Sequence, residues 1–150
     1  MIRKAVLEDK DILNNMITDF VKYEADNYDD NNRNDIKFSN YIDRRIDNDD
    51  YLVYVDEEDN EIVGFIIAEF LRNNLVKKTD EVKISILYVL DDYRCKGIGT
   101  SLINKVVDEC KLLNVNYLRM DNFIKNEEAN DLYEKLGFNI LVVERRKKLD

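Results

Sequence analysis

Histidine is absent from this chain of 150 residues. That excludes Ser-His-Asp and Cys-His catalysis, histidine-liganded metals and histidine-based pH switching. Proline is absent too, so turns rest on glycine, asparagine and aspartate. Two cysteines, Cys95 and Cys110, are too few to staple a secreted scaffold of this size. They read as reduced thiols of a cytoplasmic protein. Long apolar runs are missing as well. Stretches such as Ile62–Ala68 fall far short of the ~18–20 residues that a membrane span needs. Arg3, Lys4, Glu8, Asp9 and Lys10 interrupt the N-terminus, so no signal-peptide core is expected there. Cations are in deficit, with 23 Lys and Arg against 32 Asp and Glu, for a net charge of −9. That balance argues against nucleic acid and anionic membranes as partners.

What is present fits one soluble domain over residues 1–150. Apolar residues make up 45% and charged residues 37%, and the length matches the ~100–150 residues common for a single domain. No repeat, linker or internal boundary is visible.

The periodicities predict an α+β fold in the order β-α-α-β-β-β-α-β-α-β. Residues 2–6 read as a strand, and Asp9 is placed to cap the helix after it. Ile12/Leu13, Met16/Ile17 and Phe20/Val21 recur at helical spacing. The acidic stretch 26–35 lacks the mid-loop Gly and closing Glu of a calcium-binding EF-hand, so it reads as a solvated loop. Phe38, Tyr41/Ile42 and Ile46 suggest a second helix. Tyr51–Val55 and Ile62–Leu71 read as strands joined by an acidic hairpin turn at residues 56–61. Glu81–Leu90 is a further strand. Strict alternation puts Val82, Ile84, Ile86 and Tyr88 on one face and Glu81, Lys83, Ser85, Leu87 and Val89 on the other. A long helix starts near Gly97, Val115–Met120 is a strand, and Ala129 to Leu136 form a short helix that Gly137 ends. Phe138–Val143 is the last of about six strands in a mixed sheet with helices on both faces.

Chemistry concentrates where the central strand meets the long helix. Leu87, Tyr88 and Val89 run into a turn at Arg94-Cys95-Lys96-Gly97-Ile98-Gly99-Thr100. Glycines at 97 and 99 let backbone N–H groups converge without Cβ obstruction, and the helix start adds unsatisfied donors and positive dipole. Such a turn suits a phosphate or pyrophosphate, although two glycines equally serve a tight turn. A Walker loop fails because Lys96 precedes Gly97, and a dinucleotide fingerprint fails for want of a third spaced glycine.

Arg94-x-x-Gly97-x-Gly99 resembles the acetyl-coenzyme A signature of the GCN5-related N-acetyltransferases. Asn126-x-x-Ala129-x-x-x-Tyr133-Glu134-Lys135-Leu136-Gly137-Phe138 resembles that family's second signature, and Ile2-Arg3-Lys4-Ala5 with Asp9 and Asp11 its opening. The resemblance spans essentially the whole chain and includes the order of elements. It implies an enzyme that moves an acetyl group from acetyl-coenzyme A, without a metal, to a primary amine of a small molecule or peptide, within a ternary complex. The backbone of Arg94, Cys95, Lys96, Gly97, Ile98, Gly99 and Thr100 would hold the pyrophosphate, with charge compensation from the Arg94 and Lys96 side chains. Many members have Gly where this chain has Cys95, which is expected to donate its N–H without entering positive φ.

The resemblance also implies that Leu87, Tyr88 and Val89 splay from the next strand to receive the pantetheine arm, with Val89 or its neighbour polarising the carbonyl. Asn126, with Ala129, would hold the cofactor from the opposite wall, and Tyr133 would protonate the leaving thiolate. Glu81 and Glu69 are rival candidates for the general base; a remote base, or solvent alone, stays open. Some members carry a glutamate where this chain has Lys83. Asp26, Asp29, Asp30 and Asp35 could favour a cationic acceptor. A transferase for longer acyl groups and a coenzyme A-binding regulatory module without turnover are the alternatives. A homodimer is one assembly the resemblance allows.

Overall fold

The computed structural model describes residues 1–29, 38–72 and 80–150. One five-stranded sheet runs in the order β1 (Ile2–Lys4), β2 (Tyr51–Glu58), β3 (Glu61–Phe70), β4 (Glu81–Val89) and β5 (Tyr117–Met120). The first four strands pair antiparallel and β5 joins β4 in parallel. Helices α1 (Lys10–Asn27), α2 (Ile98–Leu112) and α3 (Glu127–Lys135) complete the domain. The α+β class and the helices on both faces are as expected. Leu13, Met16 and Ile17 of α1 are buried with Val55, Phe65 and Ile67. Leu102, Ile103 and Val106 of α2 are buried with Ile66, Ala68 and Val82. No helix among the described residues is long and apolar enough to cross a membrane.

Several local expectations are corrected. Asp9 does not cap α1. Its carboxylate reaches back to accept from the Val6 N–H at 2.9 Å and holds Arg3 through two bonds of 2.8 and 3.0 Å. The Arg3 guanidinium accordingly keeps Asp9 below the usual carboxylate range. The hairpin between β2 and β3 is tighter than six residues. Asp59 and Asn60 both adopt positive φ (51° and 65°), which fits the twist of the flanking strands. The apolar spacing at 38–46 makes a 3₁₀ turn, Ile42–Arg44, instead of a second α-helix. There the Asn14 side chain accepts from the Ile42 N–H at 3.0 Å and donates to the Ser39 carbonyl at 3.3 Å. A side chain of α1 thus takes the place of helical hydrogen bonds.

Among the described residues the sheet has five strands, not about six. Residues 138–150 pair with no described strand, because β-propensity specifies an extended chain while a strand exists only through a partner. The face assignment along β4 also changes. Ile67 pairs with Ile86, but Ala68 pairs with Ile84, so Ser85 is an extra residue in a β-bulge. The bulge swaps the two faces. Val82 and Ile84 lie under α2, yet beyond Ser85 it is Leu87 and Val89 that pack there, while Ile86 and Tyr88 turn toward α1.

Candidate active site

Parallel pairing of β4 with β5 ends at Ile84 and Met120, whereas β4 continues to Val89. Beyond that point the two strands part, and among the described residues no strand lies beside the edge of β4 from Ser85 to Val89. Leu90 donates its N–H to the Val63 carbonyl at 2.9 Å. By the alternation of an antiparallel ladder, the Val89 N–H therefore points into the opening. This is the splay expected at Leu87, Tyr88 and Val89, and the bulge at Ser85 is what starts it.

Helix α2 begins at the same end of the sheet. Gly64 lets it sit close, since a Cβ there would lie 3.1 Å from the Tyr88 carbonyl and 3.2 Å from Ile98 Cγ2. Gly97 caps the helix at φ 84°, a conformation that favours glycine. The first helical bond joins Ser101 N to the Gly97 carbonyl at 3.0 Å. The N–H groups of Ile98, Gly99 and Thr100 consequently have no helical acceptor. A Cβ on Gly99 would meet Leu87 and Leu132 at 3.8 Å each, so β4, α2 and α3 converge over that residue.

Cys95 does enter positive φ, at 60°, contrary to expectation. The loop needs a left-handed residue there, and this chain supplies a side chain where glycine would relieve strain. Its Sγ lies 3.7 Å from Glu128 Oε1. Arg94 is committed to its own loop. Its Nε donates to the Val89 carbonyl at 2.9 Å, it pairs with Asp91 at 2.9 Å, and its guanidinium lies 4.9 Å from the Tyr23 ring centre. Lys96, by contrast, is exposed beside the helix start, with its amine 4.9 Å from the Tyr93 ring centre.

On the opposite wall, the Asn126 side-chain oxygen accepts from the Ala129 N–H at 3.1 Å and caps α3. Tyr133, half-buried on α3, packs edge-on to Phe138 with ring centres 5.9 Å apart. Burial, and secondarily the nearby Glu24 charge, push its phenol up to about 12.

The two carboxylates read as candidate bases lie elsewhere. Glu81 is at the far end of β4, holding Arg119 at 3.1 Å, and the bulge puts it on the face opposite Val89. Glu69 pairs in register with Lys83, also away from the splay. Lys83 itself holds Asp121 at 2.7 Å. Asp26 is exposed on α1, and Asp29 holds Arg146 at 2.8 Å. Asp30 and Asp35 lie outside the described residues.

The carboxylate whose charge acts on Tyr133 is Glu24, on the last turn of α1. Desolvation, with Asp121 and Asp29 adding repulsion, raises its carboxyl to about 7. Around it, Tyr28 stands edge-on to Tyr23 and stacks on Phe123, with ring centres 5.8 and 6.0 Å apart. Glu24, Tyr23, Tyr28 and Phe123 were not legible as site residues. The acidity of the segment that follows was the only hint, because chain spacing does not reveal that Tyr28, just past α1, stacks on Phe123, just past β5.

Comparisons agree with this geometry. The chain is 29% identical, over 85 residues, to an uncharacterized N-acetyltransferase of Methanocaldococcus jannaschii; the match covers 57% of this chain and 38% of that relative's length. A mutant of the BH1408 protein from Bacillus halodurans has the same fold, with a TM-score of 0.85, 18% identity and 99% of both chains covered. A ribosomal-protein-alanine N-acetyltransferase from Brucella melitensis gives a TM-score of 0.75 at 18% identity, covering 99% of this chain and 98% of that one. An aminoglycoside acetyltransferase from an uncultured soil metagenomic sample gives 0.74 at 20% identity, covering 100% and 96%. The sequence model of the acetyltransferase (GNAT) family matches residues 13–138, which take in the splayed strand, the glycine turn and Tyr133. By that match this chain belongs to the GNAT family of acetyltransferases.

Proposed function

We propose that the protein transfers the acetyl group of acetyl-coenzyme A to a primary amine by direct attack within a ternary complex. The open edge of β4 at Ser85–Val89, facing the start of α2, is the observation that carries this reading. An extended pantetheine arm fits an unpaired strand edge, and a pyrophosphate fits N–H groups that lack helical acceptors. The thioester supplies the activated acetyl group. In this reading the Val89 N–H polarises its carbonyl, and Tyr133, whose phenol stays protonated, gives a proton to the departing thiolate.

Glu24 supports an amine acceptor. A carboxylate titrating near neutrality can take the proton that an ammonium must lose before it attacks. Asp29 and Asp121 already hold Arg146 and Lys83, so a cationic acceptor would be drawn chiefly by Glu24 itself and by the Tyr28 and Phe123 rings. Two structural neighbours are described as acting on amine-bearing substrates, a ribosomal-protein alanine and an aminoglycoside. Polyamines, aminoglycosides and peptides are the acceptors to screen.

Thermal melting with acetyl-coenzyme A tests the reading, followed by thiol release with those amines. A donor that binds only the folded chain, at about 100 times its Kd, adds roughly 2.7 kcal/mol of stability. An unchanged melting temperature at saturating donor would refute the pyrophosphate assignment of residues 94–100.

A further inference from the structure

Glu24 stands among ionisable groups that come from four parts of the chain. The end of α1 supplies Tyr28 and Asp29, whose N–H groups both donate to the Glu24 carbonyl, at 2.8 and 2.9 Å. The chain just past β5 supplies Asp121, whose charge acts on Glu24 more strongly than that of Asp29. Helix α3 supplies the Tyr133 phenol and, nearer Tyr28, Glu128. Arg146 of the C-terminal segment reaches in and holds Asp29 at 2.8 Å. The stack of Tyr28 on Phe123, with ring centres 6.0 Å apart, fixes the chain past β5 against the end of α1.

Asp121 is the strongest charge on Glu24, yet the sheet does not hold it. It lies one residue beyond Met120, where the pairing of β5 ends, and its side chain is 78% exposed. Lys83 holds it instead, with its amine 2.7 Å from Oδ2. Lys83 belongs to the paired part of β4, in register with Glu69 on one side and Arg119 on the other. A cation anchored in the sheet thus grips an acid that has just left it. A pair this exposed adds little to stability. Its consequence lies in the charge next to Glu24. An acid beside a carboxyl makes the proton harder to lose, and a cation on that acid offsets the effect.

We propose that Lys83 is a positioning residue for Glu24: it fixes Asp121 and offsets its charge, and so lets Glu24 exchange its proton at neutral pH. This rests on the reading of Glu24 as the base that prepares the amine, and the test separates the two. The direction of each change follows from charge alone. Lys83→Met leaves Asp121 unopposed, so Glu24 ionises at higher pH. Asp121→Asn removes the repulsion and leaves a cation, so Glu24 ionises at lower pH. The double variant replaces an ion pair by two neutral side chains, and its midpoint falls between those of the single variants. Lys83→Arg keeps the cation and is expected to keep the parent midpoint.

Carbon-13 NMR titration of the side-chain carboxyls of the full chain reads the Glu24 proton directly, with neither donor nor acceptor present. The Glu24 signal is assigned by its loss in Glu24→Gln. Lys83→Met is expected to move the Glu24 midpoint up by about half a pH unit, roughly threefold in proton affinity. That shift should shrink as salt is added. The rising limb of kcat/KM, measured on the same four variants, is expected to move with the midpoints. A midpoint that stays in place in Lys83→Met would overturn the proposal. So would a double variant that keeps the whole upward shift of Lys83→Met, because the lysine would then act on Glu24 without Asp121. Midpoints that move as expected under an unmoved kcat/KM profile would uphold the role of Lys83 and remove Glu24 as the base.

Discussion

Arg94 turns back on the strand it follows, and its Nε donates to the Val89 carbonyl at 2.9 Å. The residue that opens the glycine turn thereby holds the peptide next to the N–H aimed into the splay. Arg94→Lys keeps the charge and loses this directed bond. A lost hydrogen bond of about 1–1.5 kcal/mol predicts roughly tenfold weaker acetyl-coenzyme A binding, read by calorimetry. The KM for the amine should change less than the donor affinity, because among the described residues Arg94 reaches the proposed acceptor side only through its contact with the Tyr23 ring.

Tyr133→Phe removes one hydroxyl from a half-buried ring whose packing on Phe138 is otherwise kept. Turnover is expected to fall about 10²-fold, the usual effect of losing a general acid. Donor affinity should change less than about twofold, a negligible ~0.4 kcal/mol. Wild-type turnover across the pH range would remove Tyr133 from the chemistry.

Glu24 links activity and stability in opposite directions. Its carboxyl is raised to about 7, so the folded chain favours the protonated form. The stability this supplies is complete below the ordinary value of 4.5 and is lost as pH rises through about 7. Activity through the ionised form rises over the same interval. Glu24→Gln is expected to abolish the rising limb of kcat/KM near neutral pH and to lower kcat/KM roughly 10²-fold. It should also melt above the parent protein on the alkaline side, since no charge then forms in the half-buried site.

Cys95 occupies left-handed backbone at φ 60°, which costs a residue with a Cβ roughly 1 kcal/mol more than glycine. Cys95→Gly is expected to raise the melting temperature by about 2–4 °C, net of the freedom glycine adds to the unfolded chain. Gly97→Ala imposes the opposite change at φ 84°. It should lower the melting temperature by a similar amount and weaken acetyl-coenzyme A binding, because the start of α2 moves with it. Paired melts with and without the donor separate the two effects.

Much of the architecture was legible from local patterning. The buried stripes of α1 and α2, the strands read at 51–55, 62–71 and 81–90 and found at 51–58, 61–70 and 81–89, and the left-handed Gly137 follow from spacing and from conformational freedom. Residues near in sequence build these features, so the chain declares them. The bulge at Ser85 was not legible, because alternation has no mark for one extra residue. That single residue moved Glu81 off the face it was read to share with Val89.

The amino-acid sequence by itself determined the class of fold, the glycine turn at the start of α2 and the tyrosine opposite it, since each is written within one short segment. Tertiary structure alone decided which carboxylate stands by that tyrosine and which strand finds no partner. The charge of Glu24 is felt at Tyr133 only because the chain just past α1 meets the chain just past β5, where Tyr28 stacks on Phe123, and its proton affinity is set by burial and by Asp121 and Asp29. Residues 140–143 have every local property of a strand, but a strand is a pairing between chains or segments, and propensity cannot supply the other half.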